Sequence, residues 1–94
     1  MQMTGQRIRI SEAVVCAELD DEAVLLNVET GLYFGLGEAE FLVWQLISDG
    51  ATEEQMVASL HDTYEVGADQ LREDIHDFLT TLEERGLIET TQEG

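Results

Sequence analysis

The hydrophobic pattern of this chain changes period at Gly37, and that change constrains the fold more than any other feature. Before it, apolar residues come in short runs punctuated by turn signals. Ala23 to Val28 is apolar except for Asn27, and it lies between Asp20-Asp21-Glu22 and Glu29-Thr30-Gly31. Leu32-Tyr33-Phe34 follows, closed by Gly35 and Gly37. Short runs rich in branched and aromatic residues predict strands. The expected strands are 13–18, 23–28 and 32–35, in an antiparallel meander, with a further short piece at Arg7 to Ile10. Alternation places Val24, Leu26 and Val28 on one face of the second strand. Leu32 and Phe34 share a face of the third, and Tyr33 points the opposite way.

After Gly37 the spacing is helical. Ala39, Leu42, Val43, Leu46 and Ile47 recur along one side, and Gly50 ends that helix. Thr52 and Gln55 form a capping-box pattern, in which each side chain satisfies a free amide at a helix start. The second helix carries Met56, Val57 and Leu60 and ends near Tyr64. Gly67 precedes a third, longest helix at about Ala68 to Arg85, with Leu71, Ile75, Phe78, Leu79 and Leu82 on one face. Gly86 suits the left-handed position after a helix end. Leu87-Ile88 returns to the core, and Thr90 to Gly94 is expected to be a frayed tail, as Met1 to Gln6 is a loose start.

The predicted class is therefore α+β: a three-stranded antiparallel sheet followed by three helices that cover its apolar face. A chain of 94 residues allows one domain, 1–94, with an ordered core at about 7–89.

Composition narrows the function. Twenty-one acidic and four basic residues give a net charge of −17, yet 44% of residues are hydrophobic, enough for a folded domain. Phosphate backbones recruit lysine and arginine. Here only Arg7, Arg9, Arg72 and Arg85 are available, so neither a nucleic acid nor an anionic membrane surface is an expected partner. No apolar run approaches the ~20 residues of a membrane span, and Met1 to Arg9 lacks a signal-peptide core. With the single Cys16 no internal disulfide is expected, and the chain reads as cytoplasmic.

Enzyme signatures are scarce. Gly31, Gly35 and Gly37 lack the spacing of a phosphate-binding loop and read as turn formers. Cys16 lies in a predicted strand without a neighbouring base and reads as a small buried thiol. Glu73 and His76 make one Glu-x-x-His pair where a di-metal site requires two. With Asp69 and Asp77 they read as a solvated acidic face. Ser48 and Ser59 lack the Asp-Ser-Leu context of acyl-carrier proteins. No catalytic residue, metal or cofactor is expected. A binding module remains. The edge of a short meander offers unpaired amides and carbonyls to an extended peptide, Tyr33 offers an aromatic contact there, and the third helix can wall the groove. On a helical wheel Arg72, His76 and Glu83 flank the Leu79 side of the apolar stripe, and Asp74, Thr81 and Arg85 flank the other. Either flank can line a groove.

The stretch Asp21-Glu22-Ala23-Val24-Leu25-Leu26-Asn27-Val28-Glu29-Thr30-Gly31-Leu32-Tyr33-Phe34 resembles the strand–turn–strand of PqqD-like proteins. The likeness continues through Gly37-Glu38-Ala39, Val43-Trp44-Gln45-Leu46-Ile47 and Gly50-Ala51-Thr52. It ends with Phe78-Leu79 and Leu82-Glu83-Glu84-Arg85-Gly86-Leu87-Ile88. The resemblance implies a winged-helix-turn-helix-like domain that recognises the leader of a ribosomally made peptide without catalysis, a RiPP recognition element. Short, acidic, stand-alone members are similar to the leader-binding protein of lasso-peptide biosynthesis, which hands its precursor to a leader peptidase and a macrolactam-forming cyclase. The same resemblance leaves open an accessory protein that binds a radical-enzyme partner. In the family the leader lies antiparallel along the third strand, beside the third helix. Carried onto this chain, the peptide-binding residues are Val28, Thr30, Leu32, Tyr33 and Phe34 on the strand side. On the helix side they are Asp69, Leu71, Arg72, Ile75, His76 and Leu79.

Overall fold

The computed structural model describes residues 5–93, with side-chain surroundings described over 8–90. The chain runs β1 (Gly5–Ile10), β2 (Val14–Leu19), β3 (Glu22–Asn27), β4 (Leu32–Leu36), α1 (Glu38–Ser48), α2 (Glu53–Thr63), α3 (Ala68–Glu84) and β5 (Ile88–Glu93). The α+β class and the three helices match the expectation. The strands differ from it first in arrangement: they form two antiparallel sheets, β2-β3-β4 and β1-β5.

The meander follows its turn chemistry. Leu19 pairs with Glu22, so Asp20 and Asp21 alone make the turn, and Asp20 takes φ 57°, a conformation that aspartate tolerates better than most residues. Asn27 pairs with Leu32 across a four-residue turn, 28–31, in which Gly31 sits at φ 75°. Val28, expected at the end of a strand, belongs to this turn and is exposed.

The buried face of β3 is Ala23, Leu25 and Asn27, while Val24 and Leu26 lie half-buried on the opposite face. Sequence alternation finds both faces but not which one the helices cover, because both are apolar. Leu25 lies between Cys16 and Phe34 in the register, and Ala23 pairs with Leu36. The helices pack on that face. Phe41, Val43, Trp44 and Ile47 of α1, Met56, Val57 and Leu60 of α2, and Leu71, Ile75, Leu79 and Leu82 of α3 form one core with it.

The helix boundaries follow their caps. Thr52 Oγ1 accepts the Gln55 amide at 3.1 Å, and Gln55 Oε1 accepts the Thr52 amide at 2.8 Å. Gly86 has φ 73° and ends α3 as expected, and the Leu87 amide donates back to the Leu82 carbonyl.

The tail is the clearest correction. Ile88–Glu93 is strand β5, paired residue by residue with β1 from Ile10↔Ile88 to Gly5↔Glu93. The loose start expected at Met1 to Gln6 is likewise strand from Gly5 onward, and residues 1–4 lie outside the described residues, as does Gly94. Thr90 and its neighbours carry polar side chains. They are held by the backbone ladder, which leaves little trace in local sequence. Cys16, expected to be buried, is exposed on β2. Partial desolvation first, and the Glu18 carboxylate second, push its thiol pKa up, which makes it a weak nucleophile. Among the described residues no helix is long and apolar enough to cross a membrane.

Candidate peptide groove

In the sheet β2-β3-β4, β3 is central and β4 is an edge. Alternate amides and carbonyls of β4 therefore point away from β3, and Gly35 adds no side chain to obstruct an approaching strand. Thr30 Oγ1 accepts the Leu32 amide at 3.3 Å, which covers the first donor of β4. Leu32 is 59% exposed and Tyr33 71%, large values for residues of their kind.

Beside this edge runs α3. Two contacts join the strand to the helix, and one is aromatic: Phe34 of β4 stacks on Phe78 with ring centroids 6.4 Å apart and planes inclined by 26°. The Arg85 guanidinium sits over the same Phe34 ring, 5.5 Å from its centroid, at cation–π distance. Phe78 and Arg85 are separated by about two helical turns, so Phe34 is held between them.

Phe78 also walls a cavity of about 330 Å³. Ala39 and Val43 of α1, Leu60 of α2, Tyr64 and Val66 of the connection that follows, and Leu71 and Ile75 of α3 complete its apolar lining. Two carboxylate side chains, Glu40 and Asp74, also line it. An apolar pocket of this size with a few polar groups is the usual form of a recognition site. Here it continues from the strand edge through one shared side chain, Phe78.

One buried polar residue sets the far end of the groove. Asn27 is 5% exposed. Its Oδ1 accepts the amides of Glu29 and Thr30 at 2.9 and 3.2 Å, and its Nδ2 donates to the Gly86 carbonyl at 3.4 Å. The amide thus ties the β3–β4 turn to the end of α3. The Leu32 end of β4 lies by Gly86, and its Leu36 end runs toward Ala39 and the cavity. Strand and helix are therefore antiparallel.

The residues expected to form the helix wall divide into three groups. Leu71 and Ile75 line the cavity while buried in the core. Leu79 is core and is absent from the cavity lining. Asp69, Arg72 and His76 are on the other flank, facing α2 rather than β4. Arg72 Nε and Nη2 donate to the Glu54 carboxylate at 3.1 and 3.2 Å, and Nη1 donates to Asp69 at 3.2 Å. These contacts hold the Glu54 carboxyl below its ordinary pKa, the hydrogen bond to Arg72 first and its charge second. His76 Nδ1 lies 3.3 Å from Glu53. The flank beside β4 is instead the one that carries Asp74, Phe78 and Arg85. Helical spacing identifies both flanks, but only the placement of α2 decides between them. Asn27 is not among the expected site residues, although a lone polar residue in an apolar strand just before a turn is a signal for such a tie.

A model of the family described as coenzyme PQQ synthesis protein D (PqqD) matches residues 22–88. The solved structure of TbiB1 in complex with the TbiA(beta) leader peptide superposes with a TM-score of 0.83 at 40% sequence identity, covering 86% of this chain and 94% of that one. A lasso peptide synthetase B1 complexed with the leader peptide superposes with a TM-score of 0.82 at 28% identity, covering 87% and 96%. Comparison with curated proteins gives no match. The match over residues 22–88 takes in β3, β4, the three helices and the first residue of β5, so the chain belongs to the PqqD family.

Proposed function

We propose that this chain is a non-catalytic recognition element for the leader of a ribosomally made peptide precursor. The leader adds as an antiparallel strand to the free edge of β4. Backbone groups of Leu32 to Phe34 bond it, and Thr30 and Val28 lie at its far end. Phe34, Phe78, Leu71 and Ile75 receive its apolar side chains, and Tyr33 covers its outer face. The observation that carries this reading is the β4 edge, unpaired among the described residues, lying against an aromatic pair that opens into the 330 Å³ cavity. The two solved relatives, each complexed with a leader peptide, support it.

The chain then acts as an adaptor that presents the bound precursor to a leader peptidase and a macrolactam-forming cyclase in lasso-peptide biosynthesis. The family description favours a second reading, an accessory protein of quinone-cofactor synthesis that binds a radical enzyme. In either case α2 and α3 stand as the helix-turn-helix of a winged-helix-like domain, and the β3–β4 hairpin as its wing. Glu53, Glu54 and Asp62 of α2 repel phosphate, so the fold serves a peptide here rather than a nucleic acid.

Fluorescence polarisation with a labelled Tyr-x-x-Pro lasso leader tests the proposal. Saturable binding is expected, and a leader with both anchors changed to alanine should lose it. Absence of binding to either peptide would exclude the lasso reading and leave the enzyme-partner reading, which co-purification with the radical enzyme tests.

A further inference from the structure

The groove is not electrically uniform along its length. At the Leu36 end, Glu40 and Asp74 both line the cavity. Among the described residues each carboxylate has one hydrogen-bond partner: Glu40 Oε1 accepts the Gly37 amide at 2.9 Å, and Asp74 Oδ1 accepts from Gln70 Nε2 at 2.9 Å. Neither partner is a cation, so neither carboxylate is tied up in an ion pair by these contacts. At the Leu32 end stands Arg85, over the Phe34 ring. The Phe34–Phe78 pair separates the two ends.

We infer that this groove selects its peptide by charge order, taking an extended segment with a lysine or arginine toward its N-terminus and an aspartate or glutamate toward its C-terminus. The inference rests on the leader-binding reading above. Direction follows from the geometry. A peptide antiparallel to β4 runs parallel to α3, so its N-terminal part lies over the cavity and its C-terminal part reaches Arg85. The cavity suits a long cationic side chain, because its apolar walls cover the methylene stem while the head stays with Glu40 and Asp74 at the rim. The guanidinium of Arg85 offers a carboxylate a forked donor pair without leaving the ring.

The spacing follows as well. Asp74 and Arg85 are eleven residues apart on one helix, about 16 Å at ~1.5 Å per residue. An extended chain at ~3.3 Å per residue covers that distance in about five residues. Side chains on the same face of a strand are separated by even numbers, so the matched pair is roughly four or six residues apart. Net charge is not the discriminator. The overall charge of −17 draws any cationic peptide, but it cannot distinguish two peptides of identical composition.

The test uses two fluorescein-labelled peptides on one Tyr-x-x-Pro frame, with lysine and glutamate at that spacing in opposite orders. The expected result is that the lysine-first peptide binds roughly tenfold tighter, with a preference that shrinks in high salt. Arg85→Gln should reduce the preference while both peptides still bind. The pair Asp74→Lys with Arg85→Glu should invert it, and circular dichroism should show that both variants keep the fold. Equal affinities, or tighter binding of the glutamate-first peptide, would overturn charge-order reading and leave leader recognition standing. Failure of both peptides to bind would overturn the two together.

Discussion

The two flanks of α3 carry similar residue types and use them in opposite ways. On the flank facing α2, the polar side chains meet partners inside the molecule: Arg72 pairs with Glu54 and Asp69, and His76 lies against Glu53. On the flank facing β4, the described partner of Arg85 is an aromatic ring, and Asp74 takes only a neutral amide. The lesson concerns where binding chemistry can reside. A salt bridge closed within the fold is already satisfied, and recruiting its arginine for a ligand means breaking the internal contact first. Charge resting on a neutral surface is open to a partner at little cost.

The largest effect should come from the seam both flanks share. Leu82 is fully buried between them, and Leu82→Ala should lower stability by about 2–5 kcal/mol, read as a fall in thermal midpoint. Such a loss would remove peptide binding together with the fold, so it calibrates the remaining changes. Asn27→Ala should cost about 1–3 kcal/mol, because the amides of Glu29 and Thr30 lose their acceptor. It should also loosen the β3–β4 turn, visible as faster hydrogen exchange at those two amides.

Phe78→Ala then separates the flanks. It removes the stacking partner of Phe34 and one wall of the cavity, and leader affinity should fall about tenfold or more with the fold intact. Arg72→Ala should leave leader affinity unchanged, and a matching loss there would break the comparison outright. Its stability effect should be the smallest of the set. Glu54 has a lowered pKa in the folded state, so its pairing helps above the ordinary carboxylate range and is lost as pH falls through the lowered value. The variant should show a slightly flatter acid limb in a stability–pH profile, and the difference should fade with added salt.

The sequence carried the elements better than it carried their neighbours. Gly37, Thr52, Gln55 and Gly86 mark helix ends by chemistry that acts within a few residues, and the structure places those ends accordingly. Leu71, Ile75 and Leu82 declare a buried stripe by their spacing. The flank was different. Arg72 and Arg85 border the same stripe, and nothing within α3 says that Glu54 will stand beside one and Phe34 beside the other. Strand β5 was hidden for a related reason. Thr90 pairs with Ile8 from the opposite end of the chain, and a ladder of backbone bonds does not require an apolar signature. Asn27 interrupts an apolar run, and the reason, the Gly86 carbonyl against its Nδ2, lies 59 residues away in the chain.

The pairing of β1 with β5 has a consequence for how this domain can be joined to others. Gly5 and Glu93 are register partners, so the path into the domain and the path out of it run alongside each other. Antiparallel partners lie about 5 Å apart, a gap that a short linker can bridge. A chain arranged in this way is suited to circular permutation, with new ends opened at the acidic turn around Asp20 and the old ones joined. It can equally be spliced into a surface loop of a larger enzyme as a cassette, anchored through the paired strands β1 and β5, with the β4 edge in the other sheet.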